Sequence, residues 1–154
     1  MNLNSTNQQS LNALKRIITK FNGKFSLAFA HCNDDMLRAA ILKQLEQELA
    51  KGEYCILKLG PATRSLHQTI LNYTEERPPK ALIVFGLETV ADIDGLSALA
   101  NQTRDLFADL PFPLILWLTD SVSRKFSRIA PDFNSWGTPI GFTTEETQKR
   151  AETY

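Results

Sequence analysis

The run KALIVFGL, residues 80–87, is apolar almost without interruption, the pattern of a β-strand covered on both faces rather than half exposed to water. Such a strand requires helices above and below its sheet, and the rest of the chain supplies them. FSLAFAHC (25–32), YCILKLG (54–60) and PLILWLTD (113–120) also read as strands, with TPIGF (138–142) a short fifth. Between them lie helical patterns: DMLRAAILKQLEQELAK (35–51), ATRSLHQTILNYTEER (62–77), DIDGLSALANQTRDLFADL (92–110) and SVSRKFSRIA (121–130). Pro78 and Pro79 end the second of these and Pro131 the last, because proline lacks an amide donor and disfavours helix in the residue before it. A further helix precedes the first strand, with Leu11, Leu14, Ile17, Ile18 and Phe21 on one face and Asn22-Gly23 as its stop. Strands joined through helices pair in parallel by right-handed crossovers. The expected fold is a three-layer α/β/α sandwich, with a mostly parallel sheet of about five strands.

One domain over residues 11–142 accounts for the pattern, with a flexible, polar segment expected at 1–10 and a polar tail or linker at 143–154. Hydrophobic residues make up 43% and charged residues 22% of the 154, a balance that supports a packed core. Lysine plus arginine and aspartate plus glutamate number 17 each, so no global field draws the chain to nucleic acid or to an anionic membrane. Cys32 and Cys55 fall in strand patterns, where free thiols act as small hydrophobes, and a reduced, cytoplasmic compartment is expected. No apolar stretch is long enough to span a membrane, and the polar N-terminus has no secretory-signal pattern. Lys15, Arg16 and Lys20 lie away from the first helix's apolar stripe. That arrangement suits a membrane-surface helix or, as expected here, one packed on the sheet.

Ligands of parallel sheets bind at the carboxyl ends of the strands, so the joints after Cys32, Gly60, Leu87 and Leu118 matter most. A phosphate loop needs glycines to turn its amides inward, a lysine for the terminal phosphates and a hydroxyl for magnesium. The joint AHCNDDMLR has none of them. Asn33, Asp34 and Asp35 sit instead at the start of the helix, where a carboxylate complements the helix dipole and opposes a second anion. Glu88, after the third strand, is the one carboxylate placed to grip a magnesium ion, and otherwise reads as a surface or capping group. Asp34 and Asp35 also fit loosely the acidic pair of a receiver domain, with Thr119 as its switch hydroxyl. FGLE, however, offers no acceptor aspartate, and no lysine ends TPIGF. His31 and Cys32, adjacent in a strand, point to opposite faces and do not form a nucleophile and base. His67 reads as an ordinary helix residue. No catalytic group, metal site or cofactor is expected. Arg124 and Arg128, four apart on one helix face, are the only phospholigand candidates.

The strings PFPLILWLTDSVSRKFSRIAPDFNSWGTPIGF, FSLAFAHCNDDMLRAAILKQLEQEL and KALIVFGLETV resemble the N-terminal NTPase-like domain of STAND-type P-loop proteins. These are large bacterial, especially cyanobacterial, proteins that often carry tetratricopeptide repeats downstream. The most specific pieces are LWLTD (116–120) and APDFNSW (130–136), similar to that family's LWVTD and APDFWSW; the likeness covers roughly residues 11–142. It implies a P-loop NTPase-like fold and a signalling-switch context, since the wider class couples nucleotide binding to oligomerisation. The Walker A residues have no counterpart here, so nucleotide hydrolysis does not carry over. The expected function is a non-catalytic interaction or regulatory module that contacts a protein partner or itself. Phe133 and Trp136, in the segment Pro131–Gly137, are the candidate contact surface, the alternative being that both rings close the core. Two other readings are nucleotide or phospholigand binding at Arg124 or Arg128, and a receiver-like domain. A P-loop-like sheet keeps the third strand off its edges, whereas a receiver-like sheet places the second strand beside the first.

Overall fold

The computed structural model describes residues 3–21 and 23–144. The tail expected beyond 143 lies, from residue 145 on, outside the described residues, as does the stop signal at Asn22. The elements run α1 (Ser5–Lys20), β1 (Ser26–His31), α2 (Asp35–Glu48), β2 (Cys55–Lys58), α3 (Leu66–Thr74) and β3 (Leu82–Phe85). They continue with a 3-10 turn (Leu87–Thr89), α4 (Ile93–Gln102), α5 (Arg104–Phe107), β4 (Pro113–Leu118), α6 (Asp120–Ile129), α7 (Pro131–Ser135) and β5 (Gly137–Gly141). The five strands form one sheet in the order β2-β3-β4-β1-β5, and every neighbouring pair is parallel.

Two apolar clusters lie on opposite faces of this sheet. Alternation along β1 separates them: Leu27 and Phe29 join one, Ala28 and Ala30 the other. The first cluster takes apolar residues from α3, α4, α5, α6 and α7, the second from α1 and α2. The inner strands β3 and β4 are buried along their whole length, as their unbroken apolar runs require. Cys55 departs from the expectation of a buried thiol: β2 is an edge strand, and Cys55 is exposed there.

Residues 3–10 are not a flexible lead. The side chain of Asn4 caps α1, accepting from the Asn7 amide at 2.8 Å, and Asn7 is itself buried. Asn7 donates to the Thr143 carbonyl (2.7 Å) and accepts from the Thr143 amide (3.0 Å), while the Ser10 hydroxyl donates to the Gly141 carbonyl. Hydrogen bonds beside β5, rather than apolar burial, hold this turn of helix, so hydrophobic periodicity carries no sign of it. The apolar face of α1 packs on the sheet through Leu11, Leu14 and Ile18, while Phe21 at its end stays exposed. Among the described residues, no helix is long and apolar enough to cross a membrane.

The segment read as one helix over 92–110 divides at Thr103 (φ −104°, ψ 15°) into α4 and the short α5. The segment expected to be a loop at 131–137 holds α7 instead. Pro131 occupies its first turn, and the Asn101 side-chain oxygen, presented from α4, accepts from the amides of Asp132 and Phe133 at 3.0 Å each. This docking turns Phe133 inward. It is fully buried against Phe29, Phe107 and Phe126, with ring centroids 4.9 to 6.2 Å apart, and is therefore core rather than contact surface. Trp136 remains 39% exposed.

The two rings should separate by stability. Urea unfolding of Phe133→Ala is expected to show a loss of about 3–5 kcal/mol, the usual cost of truncating a buried phenylalanine, and Trp136→Ala a clearly smaller one. Equal losses would place Trp136 in the core as well.

Candidate functional site

The sheet has one topological switch point. β1 and β4 are neighbours, but the chain leaves β1 through α2 on one face and β4 through α6 on the other. Their carboxyl ends therefore open the crevice in which ligands of parallel sheets bind. In this molecule the crevice is small, about 100 Å³, against the roughly 300–1,000 Å³ of ordinary ligand pockets.

Its closure follows from three residues. Only Cys32, Asn33 and Asp34 separate β1 from α2, too few to wrap a phosphate. Asp34 caps α2, its Oδ1 accepting from the Leu37 amide at 2.9 Å. Asn33 reaches across the switch point and holds the start of α6 at two points. Its Nδ2 donates to Asp120 Oδ2 at 2.7 Å, and its Oδ1 accepts from the Asp120 amide at 2.8 Å. Asp120 thus spends its carboxylate on the neighbouring loop rather than on a ligand. The Cys32 amide continues the β1–β4 pairing by donating to the Leu118 carbonyl.

His31 and Cys32 line the same crevice. Burial pushes the His31 pKa down, and the nearby Asp120 carboxylate opposes that only in part. Burial pushes the Cys32 thiol up, so it is the protonated, poorly nucleophilic form that the site favours, and that form donates to the Asp34 carbonyl at 3.3 Å. Among the described residues, no cluster of three or more histidine, cysteine, aspartate or glutamate side chains is placed to hold a metal ion.

The end of β3 is closed differently. Gly86 turns the chain with φ +89°, and a Cβ there would stand 2.6 Å from the Leu59 carbonyl oxygen, so glycine is required. The turn brings Glu88 to α2, where Arg38 Nη1 lies 3.5 Å from Glu88 Oε1 and Arg38 Nη2 3.6 Å from Asp35 Oδ1. The guanidinium also lies over the Phe85 ring at 5.2 Å. Glu88, the carboxylate weighed as a magnesium ligand, is paired with a cation of the protein's own. Thr119 accepts from the Val122 amide as the cap of α6.

Arg124 and Arg128 do not reach the crevice. They lie one and two turns beyond Asp120 along α6, both exposed, while Lys125 between them pairs with Asp94 at 2.7 Å. Lys125 first, and Arg128 at longer range, lower the Asp94 pKa. His67 does not line the crevice, and its ring is edge-on to Phe107 at 5.1 Å. Asn33, Arg38 and Asn101 are the residues that sequence reasoning missed as partners. Asn33 and Asp120 stand 87 positions apart, beyond any local spacing rule.

No protein-family model matches the sequence, and no curated protein matches it. What the geometry defines is the class: an α/β protein with a five-stranded parallel sheet whose switch-point crevice is closed by its own side chains.

Replacing Asn33 by alanine removes both hydrogen bonds of the clamp at an exposed position and should cost about 1 kcal/mol in urea unfolding. Asp120→Ala should add little to it in the double variant if the two act as one unit. Thiol labelling separates the cysteines: an exposed Cys55 should react within minutes of mixing with a chromogenic disulfide reagent, and Cys32 only when the chain unfolds. Rapid labelling of both thiols in the folded protein would mean an open crevice.

Proposed function

We propose that this domain is a non-catalytic, P-loop-like interaction or regulatory module that acts by protein contact in the cytoplasm rather than by nucleotide turnover. The observation that carries the reading is the closed switch point. Asn33 and Asp120 fill the place where a phosphate would sit, and Arg38 neutralises the one carboxylate placed to hold magnesium. A nucleotide entering there would have to break the clamp and bring its anions toward Asp34, Asp35 and Asp120. The strand order favours the P-loop-like comparison over the receiver-like one, since β3 is an inner strand and β4, not β2, lies beside β1. The resemblance of LWLTD and APDFNSW to the STAND-type domains supports a switch context of the same kind. The residues that serve that context here are structural: Thr119 caps α6, and Phe133 fills the core.

A second reading, phospholigand binding at Arg124 and Arg128, rests on the exposure of both guanidiniums on one helix face without an ion pair among the described residues. Calorimetric titration with ATP, GTP and their magnesium complexes distinguishes the two. The proposed function predicts no saturable heat at micromolar ligand. Saturable binding that disappears in Arg128→Ala would replace it with the second reading.

A further inference from the structure

We infer that the hollow between α3 and α5 is a binding site for a small organic cation, an ammonium or guanidinium group carried on an apolar body.

The hollow forms where two helices end. α3 stops at Thr74 and the chain runs through Pro78 to β3; α5 stops at Phe107 and the chain runs through Pro111 and Phe112 to β4. The hollow therefore lies at the amino ends of the strands, away from the crevice at their carboxyl ends. Its volume is about 340 Å³, inside the roughly 300–1,000 Å³ of ordinary ligand pockets. Leu71, Leu106, Leu110 and Phe112 give it apolar walls, and Leu106 is 48% exposed there.

Its polar groups accept hydrogen bonds more than they donate them. Glu75 and Asp109 line it, and neither carboxylate makes an ion pair among the described residues. The Thr74 hydroxyl spends its hydrogen on the Ile70 carbonyl at 2.8 Å. Pro78 and Pro111 have no amide hydrogen to offer. His67, the remaining polar side chain, stands edge-on to Phe107. Among the described residues no lysine or arginine lines the hollow; Arg77, two positions past Glu75, is not one of its walls.

The end of α3 carries the same sign. The last carbonyls of a helix are partly negative and favour a cation beside them. α3 has no basic residue in its last turn, and its C-cap is Glu75, a carboxylate at the unfavourable pole of the helix dipole. A cation in the hollow relieves that repulsion, and an anion adds to it.

Two other hollows of ligand size lack this single sign. The groove beside β2, about 900 Å³, is lined by Glu46 as well as by Lys43 and Lys51. The one at the end of β3, about 300 Å³, contains Arg38, already paired with Asp35 and Glu88. The ligand's apolar body follows from the walls: exposed carboxylates alone hold a cation weakly in water, and covering the leucines supplies the rest. A bare metal ion does not fit, since among the described residues no three histidine, cysteine, aspartate or glutamate side chains are placed to hold one.

Amide NMR of the isotope-labelled full chain tests the site. Phenethylammonium and hexylammonium are the probes, and phenethyl alcohol, which keeps the body and lacks the charge, is the control. At least one amine should bind saturably at concentrations up to about 10 mM, with the largest shifts at Leu71, Thr74, Glu75, Asp109 and Leu110. The alcohol should bind about tenfold more weakly, as the loss of two partly solvated ion pairs implies. Glu75→Gln/Asp109→Asn changes two exposed positions and keeps the apolar walls. With its spectrum otherwise that of the folded wild type, it should bind the amine no better than the wild type binds the alcohol. Saturation by neither amine, equal binding of amine and alcohol, undiminished binding by the double variant, or shifts centred elsewhere would each overturn the proposal.

Discussion

β4 is the member on which the rest of the structure depends. Its six side chains are all buried, and it lies between β3 and β1, so every helix packs on a sheet that β4 holds together. Leu114, Leu116 and Leu118 feed one apolar cluster, and Ile115 and Trp117 the other. The full pairing of Ser26–His31 with Pro113–Leu118 joins the first third of the chain to the last. It also sets the carboxyl ends of β1 and β4 side by side. The switch point, and with it the question of whether a ligand can bind there, is a consequence of that one pairing.

The chain fills this position with its own polar groups. The Asn33–Asp120 clamp, the Asp34 cap and the Arg38–Glu88 pair each satisfy a group that would otherwise be open to a ligand: an amide, a helix end, a carboxylate. Polar groups that have protein partners gain little by exchanging them, because a broken bond must be replaced before a new contact counts as stabilising. The same logic recurs where α4 meets α7, with Asn101 capping a helix that would otherwise lack an N-terminal partner. Both linkages include a side-chain oxygen that accepts from the backbone at a helix start.

Much of the fold was legible locally. The apolar runs of 80–87 and 113–120 announced buried strands, the prolines and glycines marked helix ends, and the absence of glycine, lysine and hydroxyl from AHCNDDMLR removed the phosphate loop. Cys55 was misread because an edge strand and an inner one share the same short apolar pattern, and only strand order tells them apart. Phe133 stayed open between contact surface and core because an aromatic among polar residues fits either. What buries it is α7, and α7 owes its first turn to Asn101, some thirty positions away. The polar residues before Leu11 looked flexible because they are held by hydrogen bonds to Thr143 and Gly141, which leave no hydrophobic period.

The sequence by itself determined the alternation of strand and helix, the parallel character of the sheet and the lack of a phosphate loop, since each rests on residue types within a few positions of one another. The strand order, the clamp across the switch point and the pairing of Glu88 were decided only by the tertiary structure. The clamp joins residues 87 positions apart, and the energy that selects such features belongs to packing and pairing between elements, which no local pattern records.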